Sequence, residues 1–147
     1  MIFRQLFDRD TCTYTYILGD ESSGEAIIID PVRELIDRDT ALLEELGLEL
    51  LYSIETHVHA DHITASGMLK ERLGCKTVLS ANCSAPCVDV CACEGDVIEF
   101  GIGAEREKAA RARFYLYEYV ESDGDHVEIA AVRELRYTIA GSLSDEK

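Results

Sequence analysis

The chain has 147 residues, with 29 acidic side chains against 14 basic ones and a formal net charge of -15. That length suits a single domain over 1–147, long enough to bury a core and short for two. The acid excess repels phosphate backbones and anionic bilayers, which excludes nucleic acid and membrane surfaces as expected partners.

The opening "MIFRQLFDRD" places Arg4, Asp8, Arg9 and Asp10 where a secretory signal needs an unbroken apolar run, and no later run is long enough to span a bilayer. A cytoplasmic location is expected, where Cys12, Cys75, Cys83, Cys87, Cys91 and Cys93 stay reduced or bind metal. Next, "CTYTYILGD" and "EAIIIDP" read as two antiparallel strands joined by the turn "DESSGE". From Val32, the residues Leu35, Ile36, Leu42, Leu43 and Leu46 recur on one helical face, and Gly47 stands where a helix C-cap wants left-handed backbone. "LELLYSIETH" predicts a strand, "ITASGMLKERLG" a helix ending at Gly74, and "CKTVLS" another strand. "GDVIEFG" follows as a strand and "IGAEREKAARAR" as a short charged helix. "RFYLYEYVESDGDHVEIAAV" predicts a hairpin, its Tyr115, Tyr117 and Tyr119 forming one stripe that packs against a sheet or a partner. The alternation of strand and helix is α/β.

Glu55 to Gly67 reads "ETHVHADHITASG" and holds His57, His59 and His62, three of the chain's four histidines, with Asp61 among them. The element order places this window in a loop that leaves the carboxyl end of a strand and enters a helix, where α/β sheets collect their sites. Imidazole and carboxylate at alternate positions can converge on a cation, His57 and His59 on one side, Asp61 and His62 toward a neighbouring position. Such a site lowers the pKa of a bound water or holds a redox metal open to substrate. The bland alternative is a polar loop of hydrogen-bonded histidines, and this crowding of imidazoles beside an acid speaks against it.

The motif "HVHADH" resembles the His-x-His-x-Asp-His pattern that defines the metallo-β-lactamase superfamily. The flanks "IIIDP" and "ITASGMLKERLG" are similar to the branch that contains persulfide dioxygenases and glyoxalase II. The similarity runs over 1–101, and 102–147 diverge. It implies an αββα sandwich, truncated or rearranged in its second half. In the dinuclear zinc hydrolases of this fold, the match implies His57 and His59 on one metal and Asp61 with His62 on the second. In the persulfide dioxygenases, it implies a single ferrous ion on His57, with the other motif residues in support. The implied cofactor is therefore Fe(II) or Zn(II), with Asp61 as the catalytic group that orients or accepts a proton. The implied substrate is a thiol persulfide such as glutathione persulfide, oxidised to sulfite, or a thioester.

The family completes its site with a histidine in a Gly-His-Thr-like turn and an aspartate in a Thr-Gly-Asp-like turn. Neither pattern follows Phe100, and the strand and turn signals set Arg113 and the residues near Val132 at those places. His126, beside Asp123 and Asp125, is either a substitute ligand carried back by the hairpin or part of a solvated turn. A non-catalytic, truncated binding or oligomerisation module is thus the alternative to an enzyme. An incomplete sheet also leads us to expect a homo-oligomer, whose second subunit is another source of ligands.

Two further signals stay open. "CSAPCVDVCAC" spaces Cys83, Cys87 and Cys91 at intervals of four with Cys93 two further on, four thiolates that can hold zinc or an iron–sulfur cluster. The usual pairs with two intervening residues are absent, and small reduced thiols near a core are the default. Asp30, before Pro31, is either an acceptor that orients an imidazole beneath the metal loop or a turn residue.

Overall fold

The β-branched run at Ile27–Ile29 is buried on both faces of its sheet, and this central position organises the rest of the molecule. The computed structural model describes residues 1–101 apart from Ser84 and Pro86, together with the backbone of 110–119 and 129–139. β1 (Ile2–Phe7), β2 (Tyr14–Gly19) and β3 (Glu25–Ile29) form an antiparallel meander. The turn between β2 and β3 closes on Asp20, whose carbonyl accepts from Gly24 N at 2.8 Å. A single 3-10 turn, Arg33–Leu35, leads into α1 (Ile36–Glu45). β4 (Glu49–Ile54), α2 (Ser66–Leu73), β5 (Lys76–Ser80) and β6 (Val90–Ala92) follow. β3, β4, β5 and β6 are mutually parallel, which completes a mixed sheet in the order β1-β2-β3-β4-β5-β6.

Alternation along the strands sends side chains to two cores. On one face, Ile17, Ala26, Ile28 and Leu50 meet Ile36 and Leu43 of α1 and Leu69 of α2. On the other, Leu18, Ile27, Ile29, Ile54 and Val78 meet Ile98 and Phe100. Those last two belong to β7 (Val97–Phe100), which pairs antiparallel with β8 (Ala110–Tyr119), itself antiparallel to β9 (Ile129–Ile139). The layers are helices, six-stranded sheet and three-stranded sheet.

The structure adds two strands that the sequence reading passed over, β1 and β6. β1 is an edge with only Leu6 packed against a core, and its Arg4 and Gln5 break any apolar pattern. β6 has three residues, too few for a period to declare itself. The expected helix over "IGAEREKAARAR" is corrected at its end, since Ala110–Arg113 pair with Val97–Phe100 as strand. Residues 102–109 lie outside the described residues, as does His126. Arg113 and Val132 stand on β8 and β9. The second helix begins at Ser66, three residues after Ile63, and ends as expected at Gly74 in left-handed backbone with φ 76°.

Candidate metal centre

The histidine loop occupies the connection from the carboxyl end of β4 to α2, and hydrogen bonds hold it at both ends. Glu55 N donates to Val78 O at 2.9 Å, continuing the parallel pairing beyond β4. At the far end, Arg33 N donates to Ile63 O at 3.0 Å and Ala65 N to Pro31 O at 2.7 Å, with Val32 and Thr64 forming a bridge. The loop is thus clamped by the segment that follows β3. Ser66, the first residue of α2, is buried, and its hydroxyl contacts Ser53 Oγ at 2.6 Å and donates to Glu55 Oε1.

Asp30 is the hub of the site. Its backbone is left-handed, with φ 49°, a region that aspartate tolerates better than most residues. Its Oδ1 accepts from Thr56 N at 2.7 Å and lies 3.1 Å from His59 Nε2, while its Oδ2 accepts from Thr56 Oγ1 at 2.6 Å. The sequence left Asp30 as either a turn residue or an imidazole acceptor, and its carboxylate meets the imidazole of His59.

These contacts select tautomers. A hydroxyl has one proton, and that of Thr56 goes to the Asp30 carboxylate. Thr56 Oγ1 is then an acceptor for His57 Nδ1, 2.9 Å away, so that ring carries its proton on Nδ1 and keeps a lone pair on Nε2. His59 has the opposite arrangement. Its Nε2–H is directed at Asp30, with Glu55 Oε2 also close at 3.3 Å, which leaves Nδ1 toward Asp61 Oδ1 at 3.7 Å. Carboxylates behind ligating imidazoles fix ring orientation and raise basicity, as metal sites require.

The donors converge. His59, Asp61 and His62 each offer a ligand atom, all within 4.8 Å of one another, and the ring centroids of His57 and His59 are 4.0 Å apart. His62 Nδ1 lies 3.3 Å from Asp61 Oδ1 and 3.4 Å from Thr13 Oγ1. The His62 side chain is 1% exposed, and its Nε2 has no hydrogen-bond partner. A buried, orphaned imidazole nitrogen beside a carboxylate is what a cation would satisfy, so these residues fit a metal. His57 joins neither three-residue group of ligand atoms, although its free Nε2 belongs to the same cluster of rings. Neither group contains a thiol, so among the described residues the cysteines assemble no metal site of their own.

Electrostatics follow from burial and pairing. Burial would lower His59, but the Asp30 and Glu55 carboxylates outweigh it and hold the ring up at about 10. Burial and the neighbouring His59 push His57 down. Burial raises Glu55 against the pull of His59 and Ser66. Asp61 is half exposed, and its backbone contact together with His62 keeps it below the usual carboxylate range. The sequence reading passed over Glu55, Thr56, Ser66 and Thr13. Glu55 had a signal, a charged residue ending an apolar strand beside the motif, whereas Thr13 had none.

A cavity of about 430 Å³ opens beside the loop, lined by His57, His59 and His62 with the apolar Val58, Ile63 and Val88 among its walls. Helices and a second sheet on opposite faces of a mixed sheet, with a histidine-rich loop at its carboxyl edge, describe one class of protein. The family model of the metallo-beta-lactamase superfamily matches residues 9–82, and the chain belongs to that superfamily. Within it, the chain is 49% identical over 111 residues to the mitochondrial persulfide dioxygenase ETHE1 of Mus musculus, an overlap of 75% of this chain and 43% of that protein. The crystal structure of ETHE1 from Myxococcus xanthus superposes with a TM-score of 0.68 at 46% identity, covering 79% of this chain and 47% of that one. The hydroxyacylglutathione hydrolase of Rhizobium meliloti is 34% identical over 97 residues, which cover 65% of this chain and 37% of that protein. The chain therefore spans less than half the length of these relatives. Among the described residues, no helix is long and apolar enough to cross a membrane.

Proposed function

We propose that the chain carries the metal loop of a persulfide dioxygenase that oxidises a small thiol persulfide, such as glutathione persulfide, to sulfite. The carrying observation is the 49% identity to a persulfide dioxygenase across the segment that contains the loop, against 34% to the hydroxyacylglutathione hydrolase. Atoms balance when the persulfide, one oxygen molecule and one water yield the thiol, sulfite and protons. Fe(II), when bound, supplies the one-electron chemistry that lets oxygen react with a closed-shell sulfur compound. His57 Nε2 is the lone pair that Asp30 and Thr56 leave free for it, and His59 Nδ1 would join once the ion displaces its proton, with Asp61 and His62 in support. Val58, Ile63 and Val88 offer apolar surface against which the sulfur end of the substrate can rest. Asp61, half exposed and kept ionised by its backbone contact and His62, orients the water by accepting its hydrogen bond.

Reduced thiols fit a reducing compartment such as the cytoplasm, and no disulfide joins any of the six cysteines. A second reading is a zinc thioester hydrolase. It is supported by the Asp61 and His62 donors, which suit a second metal position, and by the hydrolase relative.

The test is oxygen uptake after anaerobic loading with ferrous ion. Uptake that depends on glutathione persulfide, is absent with zinc, and is abolished in His57→Ala supports the dioxygenase. Consumption no greater than that of free ferrous ion, in wild type and His57→Ala alike, refutes it in favour of a non-catalytic module. Zinc-dependent thioester cleavage would favour the hydrolase.

A further inference from the structure

The turn from β1 to β2 ends on Thr13, which is only 9% exposed and reaches His62 across 49 positions of the chain. Asp8 builds this turn. Its N donates to Thr13 O at 2.9 Å, and its carboxylate accepts from Asp10 N, from Thr11 N and, at 2.7 Å, from the Thr11 hydroxyl. Thr11 Oγ1 also lies 2.9 Å from Thr13 Oγ1, which in turn lies 3.4 Å from His62 Nδ1. A row of polar contacts therefore runs from the half-buried Asp8 through Thr11 and Thr13 to the metal loop.

Counting protons gives the row a direction. A hydroxyl has one, and that of Thr11 goes to the Asp8 carboxylate, the stronger acceptor and the shorter contact. The Thr13 proton then fills the contact between the two threonines, and Thr13 Oγ1 has only lone pairs left for His62. The other neighbour of His62 Nδ1, Asp61 Oδ1 at 3.3 Å, is an acceptor as well. Both contacts call for a proton on Nδ1, so in the neutral ring the buried Nε2, which has no hydrogen-bond partner, keeps the lone pair. Asp61 is itself among the donors that converge on the ion, so it cannot serve the ion and Nδ1 with the same oxygen.

We propose that Thr13 is a positioning residue for the metal centre, which holds the His62 ring with its proton on Nδ1 and its Nε2 lone pair free for the cation when Asp61 turns to the ion. Asp8 and Thr11 act through it, by keeping the Thr13 proton turned away from the ring. The inference rests on the loop's holding a metal, as the proposed function does, and needs no particular substrate.

In the experiment, the 147-residue chain carries ¹⁵N at histidine. The ring shifts of His62 are read in the metal-free protein at a pH where the ring is neutral, and zinc affinity is read by competition with a chelator. Wild type and Asp61→Ala should both show the proton on Nδ1, whereas Asp61→Ala combined with Thr13→Val should show it shared between the two nitrogens. Asp61→Ala combined with Thr11→Val should move part of it to Nε2, since the freed Thr13 hydroxyl can then donate to Nδ1. With Asp61 intact, Thr13→Val should weaken zinc binding by roughly 10-fold, and Thr13→Ser should hold zinc as wild type does. A packing role alone predicts the reverse order, because Val keeps the volume of Thr and Ser keeps only its hydroxyl. No zinc binding by wild type, loss of the Nδ1 proton in Asp61→Ala alone, wild-type affinity in Thr13→Val, or equal weakening by Val and Ser overturns the proposal. Urea midpoints establish that each variant is folded, and Thr11→Val supplies the same reading if Thr13→Val unfolds. Oxygen uptake is recorded separately on the ferrous-loaded chain. The expected shifts and affinities without uptake remove the dioxygenase and keep the role of Thr13, and uptake without them does the reverse.

Discussion

Replacing Asp30 with Asn separates what that side chain does for the fold from what it does for the metal loop. Asn also tolerates left-handed backbone, so the φ of 49° survives, as does one carbonyl oxygen to accept from Thr56 N and His59 Nε2. The other oxygen becomes an amide that donates to Thr56 Oγ1. The Thr56 hydroxyl must then send its own proton to His57 Nδ1, which moves the ring proton to Nε2 and removes the lone pair that would hold the ion. The three charge-assisted contacts of the carboxylate, with Thr56 N, Thr56 Oγ1 and His59 Nε2, become neutral ones, a loss of about 1–3 kcal/mol in folding stability. Metal affinity should fall by roughly 10–100-fold, the usual effect of losing a carboxylate behind a ligating histidine. Asp30→Ala strands both Thr56 donors and His59 and places a Cβ residue without a local partner at positive φ. It should cost about 4–5 kcal/mol, much of a typical domain's stability. Urea titration gives the first quantity, chelator competition the second, and ¹⁵N shifts of the His57 ring report its tautomer. An Asn variant that binds metal as wild type does, or whose His57 keeps its proton on Nδ1, would refute the relay.

Asp89 accepts from Lys70 Nζ at 2.6 Å and from Thr77 N and Oγ1 at 2.9 and 3.0 Å, and these contacts, Lys70 first, lower its pKa to about 2 from 3.8. A depressed pKa stabilises the fold above the unfolded value and loses that contribution as pH falls, so Asp89→Asn should flatten the decline in stability between 3.8 and about 2, measured by urea midpoints. Phe100 is 2% exposed where the two sheets meet, and Phe100→Ala should cost about 3–5 kcal/mol, while Val97→Ala, at 39% exposure on the same strand, stays within roughly 0.5 kcal/mol. Phe3, Phe7 and Tyr14 form an exposed aromatic stripe on the β1 edge and its neighbour, and light scattering should show self-association at high micromolar concentration that the double change Phe3→Ser and Phe7→Ser removes. A well-dispersed wild-type monomer would count against that last expectation.

What was legible in the sequence follows from how each element is buried. β3 and β4 lie inside the sheet, so their apolar runs announced them, and Gly24 and Gly47 punctuated their starts with left-handed backbone. α1 showed its face through Ile36 and Leu43 but hid Asp39, which is fully buried beside Arg38 at 2.7 Å and is raised by that burial. The motif residues stood out because a metal loop needs its donors close together in the chain. Their supports did not, because Asp30 and Thr13 reach His59 and His62 from other parts of the chain, 29 and 49 residues away. Spacing rules read neighbours along the chain, and a carboxylate delivered by the preceding parallel strand leaves no periodic trace.

The clamp between Pro31–Arg33 and Ile63–Ala65 has a consequence for engineering. A synthetic peptide of the histidine window alone lacks Asp30, and its rings would sample both tautomers and many orientations. Two segments taken together, 28–33 and 53–66, bring the carboxylate, the Thr56 hydroxyl, the Ser53 and Ser66 anchor and all three imidazoles. Adjacent parallel strands with a helix after the second, and a third strand to accept from Glu55 N as Val78 does, are the framework that this pair demands. The unit is therefore a transplantable cassette, and any host sheet that offers such a framework could receive it with the ring protons of His57 and His59 already assigned.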